Sequence, residues 1–324
     1  MSDTAPLFRL AGRRVWVAGH RGMVGQALLR RLATLPCTAL TVDRSQVDLR
    51  RQTETEAWMT ASRPEVVIVA AATVGGILAN MTRPAEFLYD NLMIAANVIE
   101  AARKVGVAKL IYLGSSCIYP RLAPQPMAED SLLTGPLEET NQWYALAKIA
   151  GIKLCDSYRR AHGCDFISAM PTNLYGPNDN FDPTGSHVLP ALIRRAVEAK
   201  EQGQARLTVW GTGRPLREFL HVDDLADALL FLLEHYSDEG QVNVGSGREL
   251  SIAQLVEIVC RVVGYKGALT FDTSKPDGMP RKLVDGRKLA GLGWRPRLGL
   301  EEGIAEAHRW FLANRASARG MTGA

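Results

Sequence analysis

Val15-Trp16-Val17-Ala18-Gly19-His20-Arg21-Gly22-Met23-Val24-Gly25 decides the fold: a short apolar run, a turn carrying three glycines, then a helix-like stretch to Leu35. The run Val15 to Ala18 suits a buried strand. In Gly19-x-x-Gly22-x-x-Gly25 the first glycine permits a tight strand-to-helix turn. The second lets backbone N–H groups approach a pyrophosphate, and the third lets the helix pack closely on the strand. A glycine triplet alone means little; its place between a strand and a helix is what a dinucleotide fingerprint requires. Gly19, His20, Arg21, Gly22, Met23, Val24 and Gly25 are therefore candidate cofactor contacts.

Beyond the turn, the chain keeps an α/β rhythm. Ala39 to Arg44 reads as a second strand, Glu65-Val-Val-Ile-Val-Ala-Ala71 as a third and Lys109-Leu-Ile-Tyr-Leu113 as a fourth, with helical segments between them. Continuous β-branched runs suit strands covered on both faces, and the connections suit right-handed crossovers, which predicts a Rossmann-type doubly wound parallel sheet. The end of the second strand meets the adenosine ribose, and its signals conflict. Asp43 suits a free 2′-hydroxyl and NAD, whereas Arg21 and Arg44 suit a 2′-phosphate and NADP. The reading favours NADP(H), with Asp43 against it unless its carboxylate points to solvent or pairs with Arg44.

With 324 residues, 47% of them hydrophobic, the chain can bury one large Rossmann unit and a smaller α/β C-terminal unit for substrate. We place the first at 12–172 and 220–247 and the second at 173–219 and 248–324. A formal charge of +4 is far from a nucleic-acid footprint. No apolar stretch reaches membrane-spanning length, and the first ten residues lack a signal-peptide core, so a cytoplasmic protein is expected. The five cysteines Cys37, Cys117, Cys155, Cys164 and Cys260 show no metal-ligand spacing, and their odd number argues against a disulfide framework. No metal is expected.

Chemistry enters at the end of the fourth strand, in Leu113-Gly114-Ser115-Ser116-Cys117-Ile-Tyr-Pro120. In a Rossmann sheet this loop faces the nicotinamide crevice, where a serine can donate to a substrate carbonyl. Downstream, Tyr144-Ala-Leu-Ala-Lys148 puts a phenol and an ammonium four residues apart on one helix face. A free tyrosine titrates near pH 10, and the lysine is expected to lower it toward neutrality. Ser115, Tyr144 and Lys148 then form a reductase triad. Cysteine is usually a small core residue, but Cys117 sits on the loop, two residues past Ser115. There it can move a carbon-bound proton if a second acid/base group faces it. His187, at the start of a helix after a turn-rich loop, is a candidate for that group, although a lone histidine is more often structural. Trp210 offers a flat face to a base or sugar, and Arg195 and Arg217 offer forks to phosphate; arginines are also common as solvated surface residues.

The Gly-x-x-Gly-x-x-Gly spacing is the form found in the sugar-nucleotide branch of the extended short-chain dehydrogenases/reductases. More specifically, the chain closely resembles the GDP-L-fucose synthase family, from Gly19 to Asn314. The resemblance rests on Ala71-Ala-Thr-Val-Gly-Gly-Ile77, Gly114-Ser-Ser-Cys-Ile-Tyr-Pro120, Tyr144 to Cys155, Pro171-Thr-Asn-Leu-Tyr-Gly-Pro177, Arg217-Glu-Phe-Leu-His-Val-Asp-Asp224 and Ser274-Lys-Pro-Asp-Gly278. It implies 3,5-epimerisation and NADPH-dependent 4-reduction of GDP-4-keto-6-deoxy-D-mannose. Cys117 and His187 would be the epimerisation acid/base pair. Tyr144, Lys148 and Ser115 would be the reductase group. Arg195, Trp210, Arg217 and Asp277 would hold the GDP-sugar. The same resemblance puts Leu113 to Ser116, Pro171, Thr172, Asn173, Leu174 and His187 beside the cofactor. By analogy, helices near 84–104 and 142–161 pair in a homodimer. Two other readings stand beside this one. The substrate could be a related GDP-sugar, a 3,6-dideoxy or heptose intermediate, told apart by residues near Asn173 and Asn178. A catalytically silent NADP-sensing protein would be expected to lose the Tyr or the Lys, and both are present.

Overall fold

Strands buried on both faces need helices on both sides, and the arrangement follows from that. The computed structural model describes residues 5–182, 185–275, 277–318 and 320. Pro276 within the motifs above, and Pro183, Thr184, Arg319 and residues 321–324 of the expected substrate unit, lie outside the described residues.

The chain runs β1 (Arg14–Ala18), α1 (Met23–Leu32), β2 (Thr38–Leu40), α2 (Gln52–Ser62), β3 (Val66–Val69), α3 (Ile77–Thr82), α4 (Pro84–Lys104), β4 (Lys109–Leu113), α5 (Gln142–His162) and β5 (Phe166–Pro171). It continues through β6 (Asn173–Tyr175), α6 (Val188–Glu201), β7 (Arg206–Trp210), β8 (Leu216–His221), α7 (Val222–His235), β9 (Gln241–Val244), β10 (Glu249–Ser251), α8 (Ile252–Val263), β11 (Ala268–Asp272), β12 (Arg281–Lys282), α9 (Arg287–Gly291) and α10 (Leu300–Asn314).

Six strands form an all-parallel sheet in the order β2-β1-β3-β4-β5-β9. One face is covered by α1 and α7, through Leu28, Leu32, Leu225 and Leu229. The other is covered by α2, α4 and α5, through Met59, Val98, Ala102 and Ile152. This is a Rossmann-type doubly wound fold. Its strand order reverses between β1 and β3, so the ligand crevice opens at the carboxyl ends of those strands. The second strand is shorter than expected. At the sheet edge and largely exposed, it stops pairing after Leu40, which leaves Asp43 in the turn that follows.

The C-terminal part has its own core of Phe181, Leu192, Leu255, Val259, Ile304 and Phe311 beneath α6, α8 and α10. Its strands form β10-β8-β12, with β6 also on β8, and a parallel β7–β11 pair. Glu218, fully buried on β8, accepts from the backbone N–H of Gly247 at 2.7 Å and of Val284 at 3.1 Å. Met127 N–H donates to the Leu283 carbonyl and Leu283 N–H to Gln125 Oε1. Residues 281–284 are thereby stitched to both β8 and the loop after β4.

Candidate functional site in the sheet crevice

The glycine turn has the shape its spacing predicts. Gly19 has φ +87°, and a Cβ there would lie 2.6 Å from Ala71 Cα at the end of the neighbouring strand. A Cβ on Gly25 would lie 2.3 Å from the Gly19 carbonyl, so α1 packs against the turn as only glycine allows. Gly22 caps α1 with no side chain over its first turn, which leaves those N–H groups facing the crevice. The turn therefore fits a dinucleotide pyrophosphate.

Asp43 makes neither of the contacts that would have removed it from consideration. Its Oδ1 lies 3.3 Å from Arg21 Nε and 3.5 Å from His20 Nε2. Arg44 is exposed, and its charge is among those that hold the Asp48 carboxyl low.

At the end of β4, Ser115 Oγ accepts from Cys117 N–H at 3.3 Å and caps one 3₁₀ turn, Ser116–Ile118. That cap directs Cys117 back into the crevice. Lys282, brought there by the β8–β12 register, places its Nζ 3.3 Å from Cys117 Sγ. Burial pushes the thiol up, but the Lys282 ammonium and the Ser115 hydroxyl outweigh it, and the thiol lies below its ordinary value. His187 caps the start of α6 and opens to the crevice. Burial, then the same Lys282 charge, holds its imidazolium below the ordinary value. One lysine thus acts on both members of the expected acid/base pair.

Tyr144 and Lys148 lie on the first turns of α5, with Tyr144 edge-on to Phe87. The expected lowering of the phenol is not found. Lys148 Nζ donates to the Leu113 carbonyl at 2.7 Å and sits over the rings of Tyr112 and Tyr144. Its charge is aimed at a backbone oxygen rather than the phenol oxygen. Burial, followed by the neighbouring Cys117, raises Tyr144, while burial alone lowers Lys148 to about 7. The helix spacing brings the two side chains together but does not aim one at the other.

Met170 fills the space beside Gly114, where a Cβ would strike its sulfur. Pro171 ends β5, Thr172 N–H donates to the Val244 carbonyl, and Asn173 Nδ2 donates to the Glu218 carbonyl. Leu174 lies on β6. These residues line the path from the sheet to the C-terminal part. There, Asp277 accepts from Thr212 N–H at 2.6 Å and Thr212 Oγ1 at 2.7 Å, and it opposes the lowering of the Arg217 guanidinium by burial. Trp210 is 67% exposed, with Lys275 Nζ 5.7 Å from its ring centroid. Arg195 donates to the Thr208 carbonyl. Lys282, Thr212 and Lys275 were not singled out from sequence. None stands at a spacing that signals its partner.

A dinucleotide turn opposite a Tyr-x-x-x-Lys pair defines a nicotinamide-dependent enzyme of the extended short-chain type. The profile of the "NAD dependent epimerase/dehydratase family" matches residues 15–245. The chain is 57% identical to a GDP-L-fucose synthase from Sinorhizobium fredii, covering 95% of this chain and 98% of that protein. It is 58% identical to a probable GDP-L-fucose synthase 1 from Oryza sativa, covering 95% and 94%. A GDP-L-fucose synthetase from Naegleria fowleri, solved with NADP, superposes with a TM-score of 0.90 at 30% identity, covering 98% and 99%. The chain belongs to the NAD dependent epimerase/dehydratase family, on its GDP-L-fucose synthase branch.

Proposed function

We propose that this enzyme epimerises GDP-4-keto-6-deoxy-D-mannose at C3 and C5 and reduces C4 with NADPH, giving GDP-L-fucose. The observation that carries the reading is the thiol of Cys117, held toward thiolate by Lys282 in the crevice that also holds Tyr144. A simple reductase has no use for such a base.

The C4 ketone acidifies the hydrogens on both neighbouring carbons, so one base can serve C3 and C5 in turn. Cys117 Sγ removes the proton while the Ser115 and Tyr144 hydroxyls hold the developing oxyanion. His187 returns a proton from the opposite face. Its imidazolium, lowered by burial and by Lys282, is a stronger acid than an ordinary histidine, although it is populated only lightly at neutral pH. Bound NADPH supplies the hydride for C4. Tyr144 Oη gives its proton to the C4 oxygen, while the Lys148 ammonium, held by the Leu113 carbonyl with Nζ 5.7 Å from the phenol ring centroid, acts on the phenolate only through space. Gly19 to Gly25 with Arg44, and residues 113–116 and 171–174, hold the cofactor; Arg195, Trp210, Arg217 and Asp277 hold the GDP end. On this reading 12–172 with 220–247 is the cofactor unit, and 173–219 with 248–324 is the substrate unit.

The deciding experiment is turnover of that substrate with NADPH in deuterated water. Deuterium at both C3 and C5 is expected in the product, and reduction without label would reject the epimerase half. A cytoplasmic homodimer is part of the proposal. Tyr89 and Leu92 on α4, and Trp143 and Leu146 on α5, expose apolar surface on the two helices expected to pair. All five cysteines are free, as a reducing compartment requires. Light scattering should give twice the chain mass, and a monomer in both wild type and Leu92→Glu would refute the pairing.

A further inference from the structure

Asn243 stands where a covered strand ordinarily carries an apolar side chain. Val242 and Val244, its neighbours on β9, pack into the core on one face of the sheet, and the Asn243 amide reaches Tyr119 and Met127 in the cluster on the other. It is fully buried. A buried amide costs stability unless its hydrogen bonds are made, and here they are made to distant segments of the chain. Oδ1 accepts from the Tyr119 hydroxyl at 2.6 Å, while Nδ2 donates to the Met127 carbonyl at 2.9 Å and to the Asp285 carbonyl at 3.3 Å.

Those partners flank the thiol and its lysine. Tyr119 follows Cys117 by two residues and ends the 3₁₀ turn that Ser115 caps. Asp285 follows Lys282 by three, and Met127 binds the same segment, donating its N–H to the Leu283 carbonyl at 2.8 Å and accepting from Asp285 N–H at 2.9 Å. The 3.3 Å contact between Lys282 Nζ and Cys117 Sγ requires the loop after β4 and the segment 281–285 to meet in one register. Asn243, on a third segment, is tied to both. Gln125 and Glu218 also hold residues 283 and 284, so without Asn243 the segment stays attached and what is lost is its register against Cys117. We propose that Asn243 is a positioning residue for epimerisation: through Tyr119 and Asp285 it fixes the loop bearing Cys117 against the segment bearing Lys282, so that the ammonium stays on the sulfur. The inference rests on the reading of Cys117 as the epimerisation base.

The test reads the thiol rather than turnover: alkylation of Cys117 by iodoacetamide, followed by peptide mass in the purified enzyme across a pH series. Lys282, the Ser115 hydroxyl and Tyr144 act on that thiol, and Lys282 is the cation among them, so its displacement appears as a rise in the pH midpoint of alkylation. Asn243→Leu, of similar volume, should raise the midpoint by about one pH unit and slow alkylation at neutral pH about tenfold, with the rate at high pH unchanged. Tyr119→Phe removes one hydrogen bond and keeps the ring packed; it should act in the same direction by about threefold, and it decides the matter if Asn243→Leu does not fold. Lys282→Met should slow alkylation roughly 30-fold, and adding Asn243→Leu or Tyr119→Phe to it should change nothing further. A lower rate at every pH with the midpoint unmoved would overturn the proposal, since that is lost access and not a lost charge. So would effects that add in the double variants. An unmoved midpoint in Lys282→Met would remove the pairing of lysine and thiol and the inference with it. The deuterium experiment tests the catalytic reading separately, because alkylation needs no substrate.

Discussion

Two lysines face the crevice from opposite sides, and only one does what a lysine beside an acid is expected to do. Lys148 lies one helical turn from Tyr144, the spacing that predicts a lowered phenol, yet its ammonium is directed at the Leu113 carbonyl and the phenol is raised. Lys282 lies 165 residues from Cys117 along the chain, yet its ammonium reaches the sulfur and lowers the thiol against the pull of burial. Proximity on a helix brings two groups to the same face. Direction decides whether one charge stabilises the other, because burial penalises every ion that lacks an aimed partner. In the reductase half burial moves both groups toward their neutral forms, whereas in the epimerase half Lys282 draws the thiol toward thiolate and the imidazole toward its neutral form.

That contrast is sharpest if the two halves can be disabled separately. Tyr144→Phe should cut C4 reduction by about 10³-fold and lower solvent deuterium exchange by much less, since Ser115 still holds the oxyanion, whereas Cys117→Ser should suppress exchange by about 10³-fold. The two variants are compared by following label and NADPH oxidation in one reaction mixture. Equal loss of both signals in both variants would mean that the halves are not distinct.

A smaller effect isolates the aimed charge. Lys282→Met leaves Cys117 in place but removes the ammonium that opposes burial, so exchange at neutral pH should fall roughly 30-fold. The pH profile adds a signature. Exchange needs Cys117 deprotonated and His187 protonated, a state most populated between the lowered imidazole pKa and the lowered thiol pKa. Wild type should give a bell, and Lys282→Met should move both limbs to higher pH. A profile that keeps its position in the variant would sever Lys282 from the thiol.

The smallest effect is on stability and falls on the other lysine. Lys148 has a folded pKa of about 7, below that of an unfolded lysine, and burial is the cause. Below that value the ammonium is charged in both states, and its burial destabilises the fold. As pH rises from there toward the unfolded pKa of about 10, the folded protein sheds the proton first and the cost fades. Lys148→Met should therefore be more stable than wild type by roughly 2 kcal/mol at pH 6, with the difference shrinking toward pH 10, while reduction is lost. Thermal melts across that range check it; a variant less stable than wild type at pH 6 would show that the bond to Leu113 outweighs desolvation.

Local pattern was sufficient wherever backbone geometry alone carried the message. The glycine turn was legible because Gly19 and Gly25 are each demanded by a close contact, with the adjacent strand and within the turn. The buried runs of β3 and β4 were legible because only covered strands are apolar on both faces. The second strand was over-read, since at an edge the alternation of residues does not say where pairing ends. Asp43 was recognised as a decision point, but its partner was not. The choice among solvent, Arg44 and the glycine turn depends on how the turn after β2 folds back.

From the sequence alone follow the Rossmann class, the crevice at the strand ends, and the presence there of Ser115, Cys117, Tyr144 and Lys148, because short-range spacing determines which residues share a strand end or a helix face. Only the tertiary structure brought Lys282 to Cys117, turned Lys148 toward Leu113 and set Asp43 against Arg21 and His20. Those are contacts of direction and burial between distant segments. Their energies are set by whether a charge meets an oriented partner once water is gone, and no local spacing encodes that.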